Sequence, residues 1–515
     1  MKNEVRMFLA TEYEYRRGLA HKLLGEGVID YCLAAINPYY NSMPIEDDRI
    51  DTVNTLPSGD DEYFTVCDLN ELPAVDRELL EAMLPYESMA LKMGVRRSFC
   101  YPIAEYEDEK SKYLQHLRFW NYMLESHKIN FVLFACTPHS QGMYVVYGLA
   151  RVKGIPLLIL ERPGIFDCRM LWGDSIESIG EKAGERYDEL CKNGVNDFQF
   201  DDDIDADIQK FMKSLEGSVN NSHNNETKRS IDKRIYRSNY SNRIKEYYRE
   251  FIRYNVRAIL KPDTKQDLLN REIWFLLRRK QLRSLKYFFK HLMVNRVEYN
   301  KMAEDPDYSK KYICYFIHDY PEATVIPRGG VFAEQYSCIQ LLARAAEKVG
   351  CYVYVREHPA ATAKPKDLYL EIKRIRNVAL IKSTVPSNEV IKNSVAIATL
   401  TGTCIVEAGL LGKPVLVFGR GHCYKKCPSV FEVDDEDQCS EYLRLFMSGL
   451  EISRDDMMRY LYAMQMETLN ELSIGEEMKR LFDYNYVFPP FSLDSRVRLI
   501  REFINDHLID KEKKV

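Results

Sequence analysis

The chain has no run of about 18 consecutive apolar residues, the length a membrane-spanning helix needs. Its first residues, MKNEVRMFLATEYEYRRGLAHKLL, carry an apolar stretch too short and too charged for a secretory signal. Both absences point to the cytoplasm, with at most a peripheral position at the inner face of the cytoplasmic membrane. No CxxC pair occurs among the 13 cysteines, whose count is odd and whose spacing is irregular. A disulfide framework is thereby excluded, and the thiols read as small buried hydrophobes in a reducing compartment. The tightest cluster is His422, Cys423 and Cys427; zinc takes about four ligands and no second cluster supplies the rest, so no metal is expected. A dominant charge sign is also missing, since 72 Lys and Arg face 77 Asp and Glu for a net −5. That balance argues against a bulk-electrostatic nucleic-acid binder. Neither a Walker A loop nor a full GxGxxG fingerprint is present.

What remains is a globular mix: 46% hydrophobic and 29% charged over 515 residues, enough for about two to four domains. The first 170 residues alternate strand and helix patterns. VRMFLA (5–10) and VIDYCLA (28–34) predict strands, with a helix over 12–24 between them. Residues 41–65 are acidic and loop-like. Helical periodicity covers 77–93, which Pro85 should interrupt, and 108–127. NFVLFACT (130–137) and IPLLIL (155–160) are continuous apolar runs, the pattern of parallel strands buried on both faces. A helix over 141–153 joins them into one βαβ unit. Ligands in such sheets sit beyond the carboxyl ends of the strands. That edge holds Thr137, Pro138, His139, Ser140, Glu161 and Arg162.

A second α/β unit runs over 311–436. It predicts strands at 312–318, 351–356, 378–381, 395–399 and 414–418, and helices at 331–349, 388–392 and 403–411. The order implies a doubly wound parallel sheet with helices on both faces. Between the units, 171–310 reads as a helical, basic insertion. Residues 228–300 hold 20 Lys and Arg against 7 Asp and Glu, an excess of 20 − 7 = 13. The segment is either a solvated basic face or a surface attracted to anionic lipid headgroups or an anionic glycan. The tail, 437–515, is mostly helical and packs back on the lobes. The fold expected is α/β: two Rossmann-like lobes with parallel sheets facing a cleft, plus the helical insertion.

Three loops at carboxyl ends of strands in the second sheet carry candidate chemistry. Arg356, Glu357, His358 and Pro359 follow one strand, and a cation or imidazole there can hydrogen-bond a phosphate oxygen. Thr399, Leu400, Thr401, Gly402 and Thr403 lie between a strand and a helix, where hydroxyls and backbone amides can cradle a phosphate. Glu407, in the helix, can accept from ribose hydroxyls. The plainer alternative makes Thr403 a helix cap and Glu407 a complement to the helix dipole. His318, Asp319 and Glu322 follow a third strand and can serve as acid, base or ligand. The convergence of three polar loops on one sheet edge raises a binding site above solvated loops.

These residues resemble the capsule polysaccharide biosynthesis family, which includes bacterial Kdo transferases of the two-lobed GT-B glycosyltransferase fold. The resemblance rests on HDYPEAT, FAEQ, YVREHP, TVPSNEVIKNSVAIATLTGT and EAGLLGKPVLVFG, in order over 312–421. A weaker echo lies in FACTPHSQGMYVVYGLARVKGIPLLIL (134–160). The resemblance implies a GT-B-like fold with an acceptor lobe over 1–170 and a nucleotide-sugar lobe over 311–436. It implies a glycosyltransferase that uses a nucleotide-sugar as co-substrate, a CMP-sugar favoured, with no tightly bound cofactor and no metal requirement. The acceptor would be a glycan or a lipid-linked glycan, with 228–300 in reach of an anionic membrane and no nucleic acid partner. Donor contacts carry over to Arg356, His358, Pro359, Ser387, Thr401, Gly402, Thr403 and Glu407. Candidates beside the anomeric carbon are Asp319, Glu322, His318, His139 and Glu161. Arg356 and Tyr320 depart from the residues common in that family, Lys and Gln, and Arg offers a bidentate fork where Lys offers a point charge. Two other functions fit the same scaffold: a CDP-polyol phosphotransferase, and a non-catalytic assembly or export protein.

Overall fold

A computed structural model describes residues 4–10, 18–36, 47–54, 72–97, 106–166, 169–193, 206, 208–212, 299–318, 322–358, 366–382, 384–470 and 490–509. The basic segment 228–298, Asp319, Tyr320 and Pro359 lie outside these residues.

Two sheets organise the chain. The first contains β1 (Arg6–Leu9), β2 (Tyr31–Ile36), β3 (Ile50–Asn54), β4 (Phe131–Phe134), β5 (Leu157–Glu161), β6 (Arg169–Gly173) and a late strand, β13 (Leu469–Asn470), in the order β13-β6-β5-β4-β1-β2-β3. The second contains β7 (Tyr312–Phe316), β8 (Tyr352–Arg356), β9 (Val378–Ile381), β10 (Ala396–Thr399), β11 (Val415–Val417) and β12 (Val430–Glu432), in the order β12-β11-β10-β7-β8-β9. Every pair in the second sheet is parallel. In the first, β3 to β5 are parallel while β6 and β13 add antiparallel edges. The fold is α/β with two parallel-sheet units, as the alternation of elements requires.

The strands are buried on both faces because their residues alternate between two cores. In β1, Phe8 joins one cluster while Met7 and Leu9 join the other. In β7, Ile313 and Tyr315 face one side and Tyr312 and Cys314 the other. The helix Pro490–Ile504 covers the outer face of the first sheet, where Val497, Ile500 and Phe503 meet Met7, Leu9 and Phe131. The helix Glu436–Met447 lies beside the helix Gln335–Lys348, tied through Arg344 and Lys348 to Glu436. Among the described residues no helix is long and apolar enough to cross a membrane.

Four expectations need correction. Pro85 does not interrupt its helix, which runs unbroken over Arg77–Arg97. Met83, Ala90 and Met93 bury one face of it, and that packing outweighs the one backbone hydrogen bond a proline removes. The stretch 41–65 is not all loop, since β3 falls inside it as an edge strand. The boundary at 170 cuts through β6, which belongs to the first sheet. The predicted helix over 331–349 begins as a 3-10 turn, Gly330–Ala333, and becomes α-helical at Gln335.

Strand order reverses once in each sheet. From β7 the chain steps outward through β8 and β9, then returns beside β7 as β10 and continues the other way. From β1 it does the same through β2 and β3, returning as β4. Such reversal points open a crevice at the carboxyl ends of the strands, the place where α/β proteins bind ligands.

Candidate functional site

In the second sheet the crevice lies between β7 and β10. Past β7, Ile317 donates its N–H to the Arg356 carbonyl at 2.9 Å, carrying the pairing one residue beyond the strand. His318 then turns inward. Its N–H donates to Gln335 Oε1 at 2.8 Å, and Gln335 Nε2 donates back to the His318 carbonyl at 3.1 Å. Its Nε2 lies 2.7 Å from Thr399 Oγ1, at the end of β10. His318 is therefore a buried brace between two strand ends. Gly402 passes directly over it: a Cβ built there would sit 3.1 Å from His318 Cε1 and Nε2.

The loop after β10 is anchored at one hydroxyl and open at the next positions. Thr401 Oγ1 donates to the Thr324 carbonyl at 2.8 Å, and Thr401 is buried. Thr324 in turn donates its hydroxyl to Glu322 Oε2 at 2.9 Å, so Glu322, exposed, braces this loop from outside. Thr403 is exposed and precedes the helix Cys404–Leu410 without any side-chain cap bond. Its hydroxyl is thus not used as a cap, and among the described residues the N–H groups of Gly402 and Thr403 donate to no other group.

On the other side of β7, Arg356 ends β8. It is buried, donates Nη2 to the Val385 carbonyl at 2.9 Å and lies over the Phe316 ring at 5.7 Å. That bond places Arg356 beside the turn leading into the helix Ser387–Asn393, with Ser387 half-buried at its start. Across the crevice stands Glu407. Burial raises its carboxyl above the ordinary 4.5, and the Arg356 charge opposes that rise. The Glu407 carboxylate accepts no hydrogen bond among the described residues. The Arg356 charge is thus felt at Glu407, although β8 and β10 flank β7 and stand roughly 10 Å apart.

His358, half-buried, receives its orientation from Glu357. The buried Glu357 carboxylate accepts the His358 N–H at 2.8 Å and the Tyr369 hydroxyl. The Glu357 N–H donates to Tyr299 Oη at 3.1 Å, and Tyr299 donates on to the Ile381 carbonyl at 2.5 Å. The sequence places Glu357 in this loop without a role, and the structure fastens its carboxylate inward.

The first-sheet edge is arranged differently. Glu161 Oε2 accepts the Thr137 N–H at 3.0 Å and also the Thr137 hydroxyl. His139 is exposed, with Nδ1 2.9 Å from the Thr137 carbonyl. A carbonyl only accepts, so Nδ1 carries a proton in this contact. Ser140 caps the helix Gln141–Val152 by accepting the Met143 N–H at 3.4 Å. His139 and Glu161 thus share one edge through Thr137, on a different sheet from His318 and Glu322.

Two further residues have no role assigned from the sequence, although Arg328 comes shortly after the His318–Thr324 loop. Arg328 is buried and donates Nε to the Gly421 carbonyl at 2.7 Å and Nη2 to Cys423 Sγ at 2.9 Å, with Nη1 3.9 Å from Glu161 Oε1. Burial still pushes the Cys423 thiol up to about 11. Tyr424 is buried and donates its hydroxyl to the Pro163 carbonyl at 2.5 Å. The cluster His422, Cys423 and Cys427 disperses onto separate partners. His422 accepts the Tyr424 N–H at Nδ1 (3.2 Å) and meets Glu432 at 2.7 Å through Nε2. Desolvation lowers His422 to about 4, so it is neutral at pH 7. Cys427 faces Ser429 and Met457. Among the described residues no group of three or more His, Cys, Asp or Glu side chains is placed to hold a metal ion.

No family model and no curated protein matches the chain. Solved structures similar to it include the KpsC beta Kdo 2,7 transferase of Thermosulfurimonas dismutans, at 14% identity and a TM-score of 0.22 over 42% of this chain. This chain spans 61% of that protein's length. The beta Kdo 2,4 transferase of the same KpsC aligns at 12% identity and a TM-score of 0.29, covering 68% of this chain and 87% of the other. The UDP-GlcNAc 2-epimerase of Methanocaldococcus jannaschii, in complex with UDP-GlcNAc and UDP, aligns at 10% identity and a TM-score of 0.25, covering 90% and 100%. Likenesses of this size carry no argument about activity.

Proposed function

We propose that this chain is a glycosyltransferase that moves a sugar from a nucleotide-sugar donor to a glycan or lipid-linked acceptor in building a bacterial surface polysaccharide. A CMP-sugar, Kdo or a relative, is the favoured donor. The reading is carried by the open loop after β10, where the N–H groups of Gly402 and Thr403 have no partner among the described residues and the Arg356 charge reaches Glu407. Oriented amides and a nearby guanidinium suit a phosphate. The Glu407 carboxylate, which accepts no hydrogen bond among the described residues, suits the hydroxyls of a ribose. His358 and Ser387 border the same crevice, and the family resemblance over 312–421 assigns these positions the same roles.

In this mechanism the donor phosphate rests on the 402–403 amides and Arg356, which stabilise charge as the sugar–phosphate bond breaks. The acceptor approaches from the first-sheet edge. There the lone pair of His139 Nε2 is oriented by the Thr137 carbonyl and can take the acceptor's proton. Glu161, already engaged by Thr137 and faced by Arg328, serves as a support in this scheme. His318 holds the donor loop through Thr399.

A nucleotide panel read by thermal shift tests the reading, because a ligand that binds only the folded state raises its melting temperature. CMP or CTP should stabilise most. UDP or GDP in first place would replace the donor and keep the site, and no response to any nucleotide would sink the proposal. Product mass then separates sugar transfer from transfer of a phosphate-bearing polyol.

A further inference from the structure

The carboxyl-edge loops of the two sheets meet at one point. Gly164, three residues beyond β5, lies against Thr403: a Cβ built on Gly164 would fall 2.9 Å from Thr403 Cγ2 and 4.0 Å from the Tyr424 hydroxyl. Gly164 also has φ +79, the left-handed region that glycine enters without strain. Two further contacts hold the same loop. The Tyr424 hydroxyl donates to the Pro163 carbonyl at 2.5 Å, and Arg328 Nη1 faces Glu161 Oε1 at 3.9 Å. Tyr424 and Arg328 are both buried, so neither contact is a passing surface encounter. Beyond them, Lys426 pairs with Asp188 at 2.5 Å, and Tyr187 meets Tyr460 edge-on at 5.7 Å.

We infer that the 161–164 loop of the first sheet is the seat of the donor loop: Gly164 positions Thr403, so nucleotide affinity depends on a residue outside the unit that holds the nucleotide. The inference rests on the reading that 401–403 receives the donor phosphate, and it adds a coupling that this reading does not require. The same loop reaches the acceptor edge, because Glu161 holds Thr137 and Thr137 holds His139. A shift of the loop is therefore felt at both edges. Donor and acceptor then change each other's affinity by the same factor, as linkage demands.

The test is a double-mutant cycle read by calorimetric titration with CMP, or with whichever nucleotide wins the panel. Gly164→Ala directs a methyl at Thr403 Cγ2, and Thr403→Ser removes that carbon while keeping the hydroxyl and the amide. Gly164→Ala should weaken nucleotide binding roughly tenfold in the wild-type background and less than about threefold in the Thr403→Ser background. An equal loss in both backgrounds would mean backbone strain alone, and no loss in either would mean no seat; both outcomes overturn the inference. Should Gly164→Ala fail to fold, Tyr424→Phe decides, since it removes only the hydroxyl that holds Pro163. It should weaken binding about threefold, and unchanged affinity would overturn the seat. Wild-type protein that binds no nucleotide sinks the donor-site reading and this inference with it. Wild-type binding that persists unaltered in every variant sinks this inference alone.

Discussion

The two sheets carry the same local design at their reversal points, a strand followed by a hydroxyl-bearing loop and a helix, yet they leave it in opposite states. After β4, the Thr137 N–H and hydroxyl are both taken by a carboxylate of the chain itself, Glu161, and Ser140 caps the next helix. After β10, Thr401 is tied down but the amides of Gly402 and Thr403 have no partner among the described residues. The first edge holds an internal anion, and under the proposed function the second receives an external one. Residue type alone does not make an anion site; what counts is whether the donors are already satisfied.

This contrast breaks most directly at Arg356. Arg356→Met keeps much of the volume but removes the guanidinium that faces Glu407 and the crevice, and nucleotide affinity should fall about a hundredfold by titration calorimetry. A loss under threefold would move the phosphate elsewhere.

Glu407→Gln sharpens the contrast because binding and stability should move in opposite directions. Burial holds the Glu407 carboxyl above 4.5. A carboxyl raised by folding adds stability fully at and below that ordinary value and loses it as pH rises through the raised one. The Gln variant should therefore melt above wild type at pH 7, with the gap closing as pH falls toward 4.5. Nucleotide affinity should meanwhile drop about tenfold, as a ribose acceptor is lost. Melting curves across pH 4.5–7 and one titration check both halves.

Gly402→Ala places a methyl 3.1 Å from the His318 ring and 3.2 Å from Thr399 Oγ1. The His318 brace must give by a few tenths of an ångström, and affinity should fall about fivefold with little change in melting temperature.

The smallest effect on binding belongs to the closed edge. Thr137→Val leaves the Glu161 carboxylate one donor short and should cost about 1–3 kcal/mol of stability by denaturant unfolding. Nucleotide affinity should change less than about twofold. A large loss there would mean that the donor occupies the first sheet.

The buried strands were legible in the amino-acid order because parallel strands covered on both faces read as unbroken apolar runs: β4, β7, β8 and β10 fell within the predicted segments, and β5 overran its own by one residue, Glu161. Strands β3, β6, β12 and β13 were not: all lie at or near sheet edges, and β12 and β13 are only three and two residues long. The helix through Pro85 was obscured because a local rule about proline was overridden by distant packing. At the candidate site, the loops carrying His318, His358 and Thr401–Thr403 could be named because they follow strands in one sheet.

By itself, then, the order of residues determined the alternation of strands and helices, the two parallel units and the strand ends at which polar loops gather, since these follow from local periodicity and burial. Only the tertiary structure decided which of those loops is satisfied from within, that Glu357 turns inward to hold His358, and that Gly164 of one sheet rests on Thr403 of the other. Those outcomes depend on contacts between residues tens to hundreds of positions apart, and no local pattern encodes which of the many chemically suitable partners will arrive.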